Sequence, residues 1–375
     1  MNSINYPPDK KKLQDFEKKF YNCLKKDNES SINTHLSNIA YGTGTLDFKT
    51  LVTLDFESLI NIAPVLKTYN STQPLKPKTV NGKVIQVTDF AEYFNYKSNQ
   101  SKIAAFFMSR KELDLRSCLY CGIDFISSFT DFPDYTSNID FINKADPYEL
   151  LYVKDMDTTI ANAIVLKRTT TTYTKVDDIP ATPGIIKSIK KIPFSNSHNH
   201  FTLDHMIPQG AYKFFSLCLY NLVPSCYSCN SKFKKARVFE LKDELKYISP
   251  TSKHYSLNKD FEFRLYFTGQ LNTIQSTAGF SVSKFISKNE EYIQKYLRMF
   301  KIPGRYTYHK NIALKLIENR VNYSDSRINE IKQQTGMSDS ELRTLIFGEE
   351  LFNDDLLGLP FVKFKRDIAK NIKII

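Results

Sequence analysis

Two C-x-x-C pairs constrain this chain more than any other feature: Cys118 with Cys121, and Cys226 with Cys229, far apart in sequence. Each pair lets two thiolates reach one metal from a tight turn. Two such knuckles together supply the closed four-cysteine tetrahedron of a structural zinc. A shared zinc would staple the long stretch between them into a loop, and structural zinc contributes on the order of 10 kcal/mol in small metal-dependent units. The redox alternative is a thioredoxin-like C-x-x-C, but neither pair lies at the strand-to-helix junction of a βαβ pattern. Cys23 and Cys218 fall in apolar surroundings and read as ordinary buried thiols.

The rest of the composition narrows the class. A length of 375 residues exceeds the size at which one hydrophobic core usually stops growing, so two or three modules are expected. Hydrophobic residues at 41% exclude a wholly disordered chain. The balance of 52 Lys plus Arg against 40 Asp plus Glu gives +12, which favours a polyanionic partner. An acidic membrane face is the weaker choice, because no run approaches the roughly 20 apolar residues of a spanning helix. The segment from Met1 to Lys12 lacks the apolar core of a secretory signal, and the chain is expected in the cytoplasm.

Periodicity predicts mostly helix on both sides of the cysteines. Leu13, Phe16, Phe20 and Leu24 form one apolar stripe, and Asp47 to Tyr69 a second pattern that Pro64 interrupts near its end. Ser71 to Lys83 reads as a turn-rich connector, and Gln100 to Leu113 as a third helix. From Asp124 to Asn199 the residues around Tyr148–Tyr152 and Ile160–Lys167 look β-prone, predicting hairpins or an exposed loop. Beyond Glu240, Phe261 to Phe267 reads as a strand. Asn289 to Phe300 reads as a helix stopped by Pro303 and Gly304, with further helices at Asn311–Val321 and Ser338–Phe347, the last opened by a capping box. The expected class is α+β. A helical N-terminal region spans 1–113, the cysteine-stapled core spans 114–240 with a long insert at about 124–199, and a mainly helical region spans 241–375.

The chemistry concentrates between Phe201 and Arg237, FTLDHMIPQGAYKFFSLCLYNLVPSCYSCNSKFKKAR. Asp204 and His205 lie where a β-prone run gives way to a Pro-Gly turn, so both side chains can address one small volume. A hard oxygen ligand suits Mg2+ or Mn2+, and a neutral imidazole can take a proton from water near pH 7. Phosphodiester hydrolysis needs a base for the water and a cation for the leaving oxygen. Taken alone, such a pair is more often a strand-end carboxylate beside a surface histidine; the neighbouring cysteines and basic run favour the catalytic reading. Lys232, Lys234, Lys235 and Arg237 follow, and beside a phosphate site they are expected to neutralise backbone charge. His198 and His200 read as a solvated approach to the strand rather than as extra ligands.

The strings D-H-x-x-P (Asp204 to Pro208) and N-L-x-P-x-C-x-x-C-N (Asn221 to Asn230), followed by lysines, resemble the HNH endonucleases of the zinc-stapled ββα-metal type. The resemblance implies a β-hairpin and a helix gripping one divalent metal over the scissile phosphate. His205 would be the general base and Asp204 a metal ligand. Asn221 would hold the hairpin loop and orient the His205 backbone. Asn230 stands where the family often has a last histidine, giving an H-N-N variant in which an asparagine oxygen binds Mg2+ or Mn2+. The wording Y-N-L-V-P-S-C-Y-S-C-N and the tail P-F-V-K-F-K-R-D-I-A (Pro360 to Ala369) are also similar to HNH subunits of bacterial anti-phage cassettes such as Septu. That likeness implies a role in defence or restriction and an ATPase partner subunit. The gap between Cys121 and Asp204 is long for the family. The expected function is thus a metal-dependent endonuclease acting most readily on DNA. The rivals are a non-catalytic zinc-knuckle nucleic-acid-binding module and an RNase with the same site.

Overall fold

The computed structural model describes residues 2–80, 82–130, 134–192 and 197–375. Parts of the predicted connector (residue 81) and of the insert (131–133 and 193–196) lie outside the described residues. The chain forms two compact units, residues 1–127 with 200–375, and residues 128–199. It is α+β: helices dominate, and the strands among the described residues pair two by two as antiparallel ribbons. No helix among the described residues is long and apolar enough to cross a membrane.

In the larger unit, one continuous core joins residues of both helical flanks to those around the cysteines, from Phe16 and Leu51 through Cys118 and Leu222 to Tyr296 and Phe364. The Lys10–Cys23 helix starts where Asp9 accepts a hydrogen bond from the Lys12 amide, and it buries Phe16 and Phe20. Two helices, Phe48–Thr53 and Phe56–Ser71, replace the single predicted pattern, with Asp47 and Asp55 as N-caps. Pro64 does not end the second of them; it lies inside. An interior proline forfeits a backbone hydrogen bond at a cost of roughly 3 kcal/mol. Burial of Leu59, Ile60, Ile62, Ala63 and Leu66 offsets it. The third predicted helix runs Tyr96–Ser109, earlier than expected, because Asn95 caps it through the Ser98 amide.

The predicted connector is a β-ribbon instead: Leu75–Val80 pairs antiparallel with Lys83–Thr88. Both its faces are largely exposed, so the alternation that betrays a half-buried strand is missing. The overlooked signal is the Val-Asn-Gly-Lys string, since Asn-Gly favours a two-residue hairpin turn.

C-terminal to the cysteines, Phe261–Tyr266 is a strand, paired with Ser281–Ile286. The helices Glu290–Met299, Lys310–Asn322 and Asp339–Phe347 match the periodicity, and Ser338 and Glu341 form the capping box. Pro303 does not simply stop the chain there. It sits in the first turn of a further helix, Ile302–Tyr308, where its missing N–H costs nothing.

The smaller unit is helical where hairpins or loop were expected. Its helices include Asn138–Lys144, Pro147–Leu150, Thr158–Arg168 and Pro183–Lys190, around a core of Phe141, Ile142, Leu150, Ala161, Ile164, Ile185 and Ile189. Local caps outweigh the β-branched residues. Asp146 and Glu149 form a capping box with Pro147 at the helix start, and Asp157 and Thr182 cap the next two. A short ribbon, Ser128–Thr130 with Ser197–Asn199, lies at the ends of this unit.

Candidate active site

The first knuckle is built by a tight reversal. Gly122 donates to the Cys118 carbonyl at 2.7 Å, and Cys118 donates to the Asp124 carbonyl at 2.9 Å. Gly122 has φ +61°, a conformation that suits a residue without a Cβ. The C-terminal helices clamp this turn. Tyr296 and Tyr306 donate their hydroxyls to the carbonyls of Tyr120 and Cys121, each at 2.6 Å, and Phe361 donates its amide to Gly122 at 2.7 Å.

The second knuckle follows a hairpin. Thr202–His205 pairs antiparallel with Leu222–Ser225, with Asp204 opposite Val223 and His205 opposite Leu222. A π-helical turn, Ser228–Lys234, comes next. The two knuckles meet: the sulfurs of Cys118, Cys121, Cys226 and Cys229 all lie within 4.8 Å of one another, and all four residues are buried. Backbone amides point at the cluster, Cys226 N–H to Cys118 Sγ at 3.3 Å and Cys229 N–H to Cys226 Sγ at 3.4 Å.

This donor set fits a tetrahedral zinc. Four thiols crowded together share protons poorly. At Cys121 burial opposes ionisation, but hydrogen bonds from the other three cysteines and the Arg305 charge outweigh it and hold the thiol well below its ordinary value. Hydrogen bonding to their neighbours drives Cys226 and Cys229 upward. A bound dication removes that conflict by ionising them all. Arg305, from the Ile302–Tyr308 helix, donates to Cys229 Sγ at 3.3 Å and to Asp124 Oδ2 at 2.9 Å. Its guanidinium would partly balance the negative charge of a zinc held by four thiolates. Among the remaining thiols, Cys218 is buried and lies 3.3 Å from the Leu51 carbonyl, and Cys23 is half-buried.

Asp204 and His205 sit at the end of the hairpin. The Asp204 Oδ2 accepts from the Tyr120 hydroxyl at 2.5 Å. Tyr120 lies between the cysteines of the first knuckle, so the carboxylate is tied directly to that turn. Burial and then the Asp204 charge push the Tyr120 phenol well above its ordinary value, so it stays a donor. Oδ2 also accepts from the Lys234 ammonium at 2.5 Å, and the same ammonium reaches the His205 carbonyl. No hydrogen bond among the described residues uses the Asp204 Oδ1.

His205 is 9% exposed, and its Nε2 lies 3.0 Å from the Ser216 carbonyl. A carbonyl can only accept, so Nε2 carries the proton and Nδ1 keeps a lone pair in the neutral ring. Burial lowers the imidazole below its usual range, outweighing the Ser216 carbonyl and the Asp204 charge, which raise it. The imidazole is therefore neutral at neutral pH. Tyr96 stands edge-on to the imidazole with ring centroids 4.6 Å apart. Its hydroxyl is buried with no hydrogen-bond partner among the described residues.

Asn221 is fully buried and ties the connection between the two strands. Its Oδ1 accepts from the Ile207 amide at 2.6 Å, and its Nδ2 donates to the carbonyls of Ile207 and Phe215, each at 3.1 Å. Its own carbonyl accepts from Met206 at 3.0 Å. Asn230 lies on the π-helical turn and donates through Nδ2 to Thr202 Oγ1 at 3.1 Å. Thr202 and Asp204 are two apart on one strand, so they share a face. That places the Asn230 amide on the Asp204 side of the hairpin, with its Oδ1 unused by any hydrogen bond among the described residues. Asp204 and Asn230 thus each keep a side-chain oxygen that no hydrogen bond among the described residues uses.

The basic cluster divides. Lys232, Lys235 and Arg237 are exposed, whereas Lys234 is buried and turned inward onto Asp204, away from the surface role predicted for it. Residue spacing alone missed Tyr96, Tyr120, Arg305 and this inward role of Lys234. The signal available for Tyr120 was its place inside the knuckle; the other contacts carry none. One cavity of about 980 Å³ is lined by Tyr6, Glu17, Leu54, Tyr220 and Tyr255 among others and includes none of Asp204, His205 or Asn230. No family model, curated protein or solved structure matches this chain.

Proposed function

We propose that the chain is a metal-dependent endonuclease of the ββα-metal type that hydrolyses phosphodiester bonds, with DNA as the favoured substrate. One observation carries the reading. His205 is held as a neutral imidazole with its protonated nitrogen on the Ser216 carbonyl, and its neighbour Asp204 keeps one oxygen uncommitted. A base and an anionic cation ligand at successive positions are what hydrolysis of a phosphodiester requires. The hairpin, the following helical turn and the cysteine cluster support the same reading.

In this mechanism His205 Nδ1 takes the proton of the attacking water. The Ser216 carbonyl stabilises the imidazolium that forms, and Asp204 opposes its positive charge. Asp204 Oδ1 and Asn230 Oδ1 would hold Mg2+ or Mn2+, which supplies electrostatic stabilisation of the phosphate and the leaving oxygen. Asn221 keeps the loop after His205 in register. Lys232, Lys235 and Arg237 meet backbone phosphates. The positive surplus of the chain favours a polyanion, and the likeness of its motifs to anti-phage cassettes favours a role in defence or restriction, beside an ATPase subunit.

A second reading, a zinc-stapled nucleic-acid-binding module without catalysis, draws on the Asp204–Lys234 ion pair, which a purely structural carboxylate would also make. Plasmid nicking with Mg2+ or Mn2+ separates them. Wild-type protein should nick and His205→Ala should not. Binding without nicking in both proteins would favour the second reading, and cleavage of RNA in preference to DNA would move the assignment to an RNase.

A further inference from the structure

The Asp204 carboxylate already has a cation. The Lys234 ammonium lies 2.5 Å from Oδ2, and the two side chains are only 4% and 10% exposed. The same ammonium is bonded to the His205 carbonyl, and Tyr120 takes a further place on Oδ2. A divalent ion approaching Oδ1 therefore meets a ligand set with no net negative charge: one carboxylate, one ammonium and the neutral amide of Asn230. Burial strengthens the repulsion between ion and ammonium, because little solvent screens them. A phosphodiester brings the missing negative charge and an oxygen ligand of its own.

We propose that Lys234 makes cation binding at Asp204 conditional on a nucleic-acid phosphate, so that the metal and the substrate bind cooperatively. The proposal rests on the endonuclease reading above and adds an order to it. Lys234 acts here through Asp204 as a positioning residue and an internal counter-charge. Free of nucleic acid, the site holds its carboxylate in place without a metal; with a strand in place, the phosphate tips the charge balance. Coupling of this kind is reciprocal, so the metal must also tighten nucleic-acid binding.

The test uses full-length, zinc-loaded His205→Ala protein, which binds without cleaving, and follows free Mn2+ by electron paramagnetic resonance. Titrations run with and without a short DNA duplex, and the Asp204→Asn/His205→Ala protein subtracts Mn2+ held by the duplex itself. The duplex should tighten Asp204-dependent Mn2+ binding by about tenfold or more, equivalent to about 1.4 kcal/mol of coupling. Adding Lys234→Met should tighten Mn2+ binding without duplex by a similar factor and abolish most of the duplex effect. Equal Mn2+ affinity with and without duplex overturns the proposal even if Lys234→Met does not fold. So does a folded Lys234→Met protein whose Mn2+ affinity is unchanged or weaker. Absence of Asp204-dependent Mn2+ binding under both conditions overturns it together with the metal site. Failure of the wild type to nick, with cooperative Mn2+ binding intact, sinks only the nuclease.

Discussion

Asn221 and Ile207 are hydrogen-bonded in both directions: the amide oxygen of Asn221 accepts from the Ile207 N–H at 2.6 Å, and its nitrogen donates to the Ile207 carbonyl at 3.1 Å. The side chain thus acts as a short piece of strand for a segment that has none. Asn221→Ala should leave several buried backbone groups unpaired, at about 1–3 kcal/mol each. We expect a loss of about 3 kcal/mol in denaturant unfolding, with nicking abolished and zinc retained. Normal stability would mean that the loop is held by other contacts.

The cysteine cluster predicts one zinc per chain by elemental analysis. Cys226→Ser should lose that zinc, because three ligands no longer close the tetrahedron, and the larger unit should unfold cooperatively at a lower temperature. Full stability in a protein free of zinc would refute the staple.

Arg305 contacts the same cluster through Cys229 and pairs with Asp124. Arg305→Met keeps much of the packing but removes the charge. Partners of metal ligands typically affect metal affinity by about 10–100-fold. Zinc should therefore pass to a chelator at correspondingly lower concentration, with the fold retained at saturating zinc. An unchanged chelator titration would limit Arg305 to its ion pair with Asp124.

The pH dependence follows from His205, whose burial holds it below the usual histidine value of 6.5. The unfolded chain then binds a proton that the folded chain resists. This residue therefore costs stability as the pH falls through 6.5 toward the folded value, and costs nothing above 6.5. His205→Gln should reduce the loss of stability between pH 7.5 and 5.5, measured by urea unfolding. Cleavage by the wild type should keep its acidic limb below pH 6.5. A limb above that value would point to a base other than His205, or to one whose environment changes on binding substrate.

Much of this was legible in the amino-acid sequence because it is local. The C-x-x-C knuckles, the Ser338–Glu341 capping box, the apolar stripe of Phe16 and Phe20 and the strand at Phe261–Tyr266 each depend on residues a few positions apart. Even the errors were partly local: Asp146-Pro147 and Asp157 announce helices in the insert, and the Asn-Gly pair announces the ribbon after Leu75. What only the tertiary structure decided is which distant side chains complete the site. Tyr120 reaches Asp204 across 84 positions, and Arg305 reaches Cys229 across 76. Tyr96 meets His205, and Lys234 turns from surface to core. No periodicity encodes such contacts. They arise because buried polar groups must find partners wherever the packed chain brings one within reach, and that choice is made by the whole fold at once.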